Sequence, residues 1–475
     1  LKNGGKSVKD VIALYNKKRS VFASGAAPYI PCAPAQDKTA PAQKMRPLAL
    51  VIPACAEYPD ILDTFDSIER SIECARGESG KIQICSGAAH AGDCTAASGG
   101  CTVICVVNNR TNASGEVKEN NRTLIKAAVE RGITVLDACS KGYELSENEG
   151  VGTARRIGMD YALKNGAEVI ACMDADTLVS SEYICALHDF RLQCADALLC
   201  GKLPPAGAVT GFTHQKAPDS DIQKAIDSYE FFIKEHSARL FKTKTPFYPY
   251  ALGPSIVCSA WGYAASGGMP KLLSGEDFYF LQSLIKLNIQ HAATAGQSTA
   301  AAAGQNDAPP FVFPELNCTV HPQARLSQRT LFGTGQKLGA LVEARALVGG
   351  SEKSLSAHTG GQAAGQSSDP SVEQVTPPTA KGALLYPDFV YERIKDFIGL
   401  FYAASGKADR GKAFLSDCKF ALPDVYDFLE RERFPAVWEK MCLQNRKDRI
   451  GLERAFHIWF DGLKILRLIH FLVRL

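Results

Sequence analysis

Two aspartates one residue apart, Asp174 and Asp176, follow the apolar run VIACM in VIACMDADTL. Carboxylates this close repel unless a cation or hydrogen-bond donors compensate, and hard divalent ions such as Mg²⁺ or Mn²⁺ take oxygen ligands of this kind, with phosphates completing the shell. The spacing alone says little: Asp219-Ser220-Asp221 repeats it in the polar stretch KAPDSDIQK, where a loop or a helix cap accounts for it. The buried strand expected before Asp174 separates the two cases. Just upstream, GVGTARRIGM sets Gly150 and Gly152 ahead of a helix whose free N–H groups suit an anion, with Arg155 and Arg156 in its first turn. Arg156 has Asp160 one turn on as a structural partner, which leaves Arg155 as the phosphate candidate.

Further along, LSGEDFYFLQSLIK places Glu276 and Asp277 after the glycine-rich SGGMPKLLSG. Ser274 and Asp277 have capping-box spacing, so a helix cap is one role for this acid; the other is to deprotonate an acceptor hydroxyl from a substrate-facing loop. HPQARLSQRTLFGTG then sets His321, Arg325 and Arg329 at four-residue intervals, with Pro322 fit for a first helical turn. As a helix, these three would share one face, suited to a diphosphate or simply to solvent.

The elements that must position these residues read as alternating strands and helices. LALVIPACAE, CTVICVVNN, GITVLDAC and AEVIACMDAD are buried strands; YPDILDTFDSIERSI, residues 119–131 and GVGTARRIGMDYALKNG are the helices between them. That rhythm predicts an α/β layer with a mostly parallel sheet, whose ligands sit beyond the carboxyl ends of the strands. LLCGKLPPAGAVTGF reads as a further strand, and residues 221–241 and EDFYFLQSLIKL as helices. The expected organisation is a helical segment and linker over 1–46, an α/β domain over 47–340 with insertions near 86–100 and 292–309, a low-complexity linker over 349–382, and a helical region over 383–475.

Bulk properties narrow the partners. A formal charge of +3 over 475 residues, without long basic runs, gives no footprint for nucleic acid. The 16 cysteines are scattered through apolar runs without a CxxC pair, which fits buried thiols in a reducing compartment. The opening LKNGGKSVKDVIALYNKKRS lacks the apolar core and cleavage site of a signal peptide, so the cytoplasm is the expected location. No uninterrupted apolar stretch is long enough for a membrane span; FHIWFDGLKILRLIHFLVRL reads as an amphipathic helix, packed on the protein or lying on a membrane surface.

Taken in order, LALVIPACAE, ARRIGMDYAL, VIACMDADTL, GGMPKLLSGEDFYF and RLSQRTLFGTG resemble the inverting family 2 glycosyltransferases of the GT-A fold, over about Leu48 to Leu338. The resemblance implies a nucleotide-sugar donor and a hydroxyl acceptor. It also implies Asp174 at the ribose or metal, Asp176 holding Mg²⁺ or Mn²⁺, Asp277 as general base, and Glu276 at the acceptor. Pro53, Ala54 and Glu57 would border the nucleotide, Arg325 and Arg329 would form the basic element, and His321 would add a metal or phosphate contact.

One departure concerns the base. Where the family often carries carboxylates after the second strand, this chain has Asn108 and Asn109, and asparagine both donates and accepts, so uracil and guanine stay open. Two competing readings remain. A sugar-phosphate nucleotidyltransferase would need a glycine-rich basic loop where PACAEYPD stands, and a non-catalytic binding module would have no use for two costly acidic pairs.

Overall fold

The structure, a computed structural model, describes residues 7–25, 27–32, 47–78, 100–250, 252–292, 308–324, 385–406 and 410–475. Arg325, Arg329, the 349–382 linker and nearly all of both expected insertions lie outside them.

Nine described strands form one sheet: β1 (Ile30–Cys32), β2 (Leu48–Ala54), β3 (Cys101–Asn108), β4 (Thr134–Ala138), β5 (Val169–Cys172), β6 (Thr177–Val179), β7 (Gly207–Phe212), β8 (Ile256–Ser259) and β9 (Glu315–Pro322). Their order is β1-β4-β3-β2-β5-β8-β7-β9-β6. The block β4-β3-β2-β5 is parallel, and β7 also runs parallel to β9, while β1, β8 and β6 pair antiparallel to their neighbours. Every residue of β2 and β5 is buried, which is what continuous apolar strands covered on both faces require. The expected α/β architecture with a parallel centre is thus present, extended by antiparallel strands beyond β5.

Among the described residues, eight helices accompany this sheet: α1 (Val8–Lys18), α2 (Ile61–Glu78), α3 (Gly115–Glu130), α4 (Val151–Lys164), α5 (Tyr183–Leu199), α6 (Ser220–Lys242), α7 (Ala260–Ser266) and α8 (Glu276–Ala292). Two expectations need correction. The LLC of LLCGKLPPAGAVTGF closes α5, and the strand begins only at Gly207; the β-compatible apolar letters belong to a helix buried through Tyr183, Leu187 and Phe190. His321 and Pro322 end strand β9 and do not open a helix, because β9 finds a partner on each side, in β7 and β6.

Helix α4 carries two arginines and lies directly on the sheet. A methyl on Gly158 would overlap Val51 Cγ1 and come 2.9 Å from Val106 Cγ2, so glycine permits this close approach despite its low helix propensity. Asp160, fully buried on the same helix, accepts the hydroxyls of Tyr15 (2.6 Å) and Tyr263 (2.7 Å) and the Val21 N–H (2.8 Å). Arg156 is its more distant partner at 3.7 Å and donates chiefly to the carbonyls of Met269 and Arg19. The N-terminal helix α1 is tied by this carboxylate to α4 and α7.

The C-terminal region contains α9 (Asp388–Ser405), α10 (Arg410–Ala421), α11 (Pro423–Arg431), α12 (Phe434–Gln444), α13 (Arg449–Trp459) and α14 (Gly462–Val473) around an aromatic core in which Phe401 stacks on Phe456 at 3.8 Å. It docks on α6 through His236 Nδ1 and the Tyr391 hydroxyl (2.7 Å), and on α8 through Lys286 and Asp461 (2.5 Å) and through the Gly462 N–H donating to Gln282 (2.9 Å). The apolar face of α14 is taken up in this packing, with Ile465, Leu466, Leu468, Ile469 and Leu472 buried, and so is not offered to a membrane surface. No helix among the described residues is long and apolar enough to cross a membrane. All described cysteines are free thiols.

His457 sits inside the aromatic core, fully buried, with Nε2 2.7 Å from the Tyr402 hydroxyl and Nδ1 without a partner among the described residues. Burial pushes its pKa down to about 3, from about 6.5 in the unfolded chain. The folded state therefore refuses a proton that the unfolded state accepts. The contribution of this one group is full above about pH 6.5 and falls by up to about 1.4 kcal/mol per unit as the pH drops toward 3. The raised carboxyls Glu276 and Asp277 slope the other way, so the loss is read as the difference between wild-type and His457→Gln urea midpoints, which should shift in favour of the variant between pH 7 and pH 4.5.

Candidate active site

The carboxyl ends of β2, β3 and β5 open on one side of the sheet, and the loops there meet α4 and α8. The DAD triplet is a turn between β5 and β6, and each of its carbonyls is held. Asp174 O accepts from Thr177 N (3.2 Å), Ala175 O from Thr64 Oγ1 (2.8 Å), and Asp176 O from Gln215 Nε2 (3.0 Å) and Gln323 N (3.1 Å). A turn fixed at every carbonyl points its two carboxylates in set directions. The other triplet behaves as its polar context implied: Asp219 caps α6, accepting from Asp221 N and Ile222 N.

Arg155 lies buried at 4% exposure between two acids. Of the guanidinium nitrogens, Nη2 donates to Asp174 Oδ1 at 2.5 Å, Nη1 donates to Glu276 Oε1, and Nε is buried without a hydrogen-bond partner among the described residues. The third wall is the 3-10 turn Gly253–Ser255, where a methyl on Gly253 would overlap the guanidinium and displace it from this position. Both charged arms are thus committed inside the protein, and the phosphate contact expected of Arg155 gives way to an ion-pair role. Residues 270–273 cross over the first turn of α4, which also closes the helix N-terminus expected to hold an anion.

Glu276 and Asp277 form the first turn of α8, as their spacing from Ser274 implied. Glu276 is 3% exposed and Asp277 half-buried, with Asp277 Oδ1 accepting the Phe278 N–H at 2.7 Å. Burial pushes Glu276 up to about 7, against the lowering pull of Arg155 and with a further rise from Asp277. Burial likewise raises Asp277, again opposed by Arg155, with Asp174 adding to the rise. On Arg155, burial works to lower the pKa, but Asp174 and Glu276 outweigh it and hold the guanidinium charged. Burial thus raises the basicity of this acidic pair in spite of the adjacent cation, which suits a general base working near neutral pH.

The backbone of His321 is tied to the DAD turn. In the β6–β9 register it stands opposite Leu178, and Gln215 Nε2 donates both to its carbonyl (2.8 Å) and to that of Asp176. Its Nδ1 is 3.0 Å from the Thr213 carbonyl. A carbonyl only accepts, so Nδ1 donates; in the imidazole tautomer that carries its proton there, the lone pair lies on Nε2, the form that binds metals. Two aspartates and this nitrogen are donors of the right type for a hard divalent ion that draws its remaining ligands from phosphate and water. Among the described residues no group of three His, Cys, Asp or Glu side chains is gathered tightly enough to hold a metal ion alone.

Pro53 and Ala54 end β2, and Glu57 lies in the following loop, where its carbonyl accepts Ile61 N at 2.9 Å. Asn108 is buried at the end of β3, and its amide nitrogen, expected to meet the base, is taken up by the carbonyls of Ala54 (3.1 Å) and Val106 (3.2 Å). Asn109 accepts from Asn121 at 3.0 Å, and Asn121 in turn accepts the Ala56 N–H. Asn120 makes a two-way exchange with Tyr58. Asn120 and Asn121 therefore staple the loop after β2 to α3, while Asn108 ties the end of β3 to β2 and Asn109 ties it to α3. Sequence reading passed over Asn120, Asn121, Gln215 and Gly253; the signal available was two adjacent asparagines inside a helix, where asparagine is a poor helix former unless its side chain has other work.

No protein-family model matches the chain, and no curated protein matches it. Solved structures show a distant likeness. TarS 1-349 from S. aureus aligns over 51% of this chain and 56% of that 1-349 chain, a little over half its length, at 13% identity and a TM-score of 0.29. The same protein in complex with UDP-GlcNAc gives 12% identity and 0.27 over 51% and 54%. Mannosyltransferase PcManGT from Pyrobaculum calidifontis, in complex with GDP-Man and Mn²⁺, aligns over 64% and 74% at 14% identity and 0.30. Likeness of this degree decides neither fold nor activity, which rest on the topology and geometry above.

Removing the Arg155 charge leaves two acids facing each other in a largely buried space. Arg155→Met should cost about 3–5 kcal/mol in urea unfolding, the usual penalty for breaking a buried ion pair from one side. Arg155→Lys, which keeps the charge, should cost markedly less.

Proposed function

We propose that this chain is a metal-assisted glycosyltransferase of the inverting, family 2, GT-A kind, moving a sugar from a UDP- or GDP-linked donor to an acceptor hydroxyl. The observation that carries the reading is the convergence of Asp174, Arg155, Glu276 and Asp277 from three separate segments at the carboxyl ends of parallel strands. Asp176, Asp174 and His321 would hold Mg²⁺ or Mn²⁺, which when bound neutralises charge on the departing diphosphate.

The chain's own residues do the rest. Asp277 takes the proton of the acceptor hydroxyl as its oxygen forms the bond to the anomeric carbon. The bond from that carbon to the diphosphate breaks, and its electron pair leaves with the nucleoside diphosphate. Attack from the face opposite the leaving group inverts the centre. Glu276, held by Arg155, orients the acceptor side. Pro53, Ala54 and Glu57 border the nucleotide, Asn108 braces that wall through the Ala54 carbonyl, and Arg325 and Arg329, outside the described residues, would meet the diphosphate. Held positions of this kind are where such a transfer finds its rate, because alignment removes the entropic cost of bringing base, hydroxyl and donor together.

Calorimetry with UDP and GDP, the nucleotides carried by the ligands of the solved structures named above, tests the reading. Binding should require Mn²⁺ or Mg²⁺ and be lost in Asp176→Ala. Asp277→Asn should keep that binding and lower transfer by about 10²–10⁴-fold, the usual contribution of a general base. Absence of binding by either nucleotide in the presence of Mn²⁺ and Mg²⁺ would sink the proposal; binding only of a nucleoside triphosphate together with a sugar phosphate would reassign the chain to nucleotidyl transfer.

A further inference from the structure

Asp174 follows β5, Glu276 begins α8, and both pair with one guanidinium that a third loop walls in at Gly253. The acid on the donor side and the acid on the acceptor side therefore share a single cation. With Arg155 buried and both its arms used, a change of charge at one acid alters how strongly the other is held. Glu276 is followed directly by Asp277, and the backbone of that first turn is secured by Phe278 N donating to Asp277 and Tyr279 N donating to Gly275.

We propose that Arg155 is a positioning residue that couples the two halves of the site: neutralising Asp174 shifts the guanidinium's pairing toward Glu276 and tightens the first turn of α8, which carries Asp277. Donor arrival at Asp174 would then set the base in place for the acceptor. The significance of the coupling rests on the transferase reading, but its geometry does not. The other groups facing the guanidinium are Asp277 itself and Cys172 of β5, while Tyr250 faces Asp277 from the loop before Gly253. An ion pair with a merely structural role would give a different result: losing Arg155 would weaken the fold, and Asp174 and α8 would respond to their own substitutions independently.

Amide hydrogen exchange on the full chain separates the two. In ligand-free protein, Asp174→Asn stands in for a neutralised Asp174 and should slow exchange across residues 278–281 by at least about twofold, the lower end for coupling within one ion-pair network. The slowing should persist with Arg155→Lys and vanish with Arg155→Met or with Glu276→Gln, the latter covering the case in which Arg155→Met does not fold. Unchanged exchange in Asp174→Asn, or equal slowing in the Glu276→Gln background, overturns the proposal. In a second arm, Mn²⁺ with UDP or GDP should slow the same amides in the wild type and not in Glu276→Gln; equal slowing in both also overturns it. Should neither nucleotide bind, the transferase reading fails while the Asp174→Asn comparison still decides the coupling.

Discussion

A single buried guanidinium organises the functional end of this protein. Taking Arg155 out of water is expensive, and two well-aligned carboxylates are what make its position tolerable. That requirement propagates outward. Asp174 must stand at the end of β5, Glu276 at the start of α8, and Gly253 must leave room for the charge, so three segments far apart in sequence are brought into register by one side chain. The DAD turn, held at each carbonyl, and α4, seated on the sheet at Gly158, supply the rigid sides of the same cage.

Support for α8 comes from the opposite side. Gln282 and Lys286 engage Gly462 and Asp461 of the C-terminal helices, so the helix whose first turn carries Glu276 and Asp277 is clamped one to three turns further along. The C-terminal region thereby has a physical connection to the site, although its aromatic core lies apart from it. The N-terminal helix has a matching role on α4, through the Tyr15 hydroxyl and the buried Asp160. Rigid elements at both ends of an ion-pair network are what hold functional groups to the tolerances that chemistry requires.

Much of this was legible in the chain. Apolar strands alternating with amphipathic helices announced the layered sheet, since burial on two faces leaves a continuous apolar run that few other arrangements explain. The buried strand before DAD and the helix cap at DSD were both readable from their flanks, because flanking hydrophobicity reports burial directly. The errors have a common source. His321-Pro322 has letters that suit a helix, and LLC letters that suit a strand; in each case pairing with distant segments, β6 and β7 for the first and the packing of α5 for the second, overrode the local preference.

By itself, the sequence determined which residues are ionisable, which segments must be buried, and that acids would stand at strand ends where ligands bind. Only the tertiary structure decided which charges meet. On sequence grounds Asp160 belonged to Arg156 and Arg155 to a phosphate; the fold gave Arg155 to Asp174 and Glu276, while Asp160 went chiefly to two tyrosine hydroxyls. Asn108 likewise turned inward to carbonyls beside it. The reason is that periodicity records burial along one chain, whereas the partner of a buried polar group is set by whichever distant segment satisfies its hydrogen bonds at that depth.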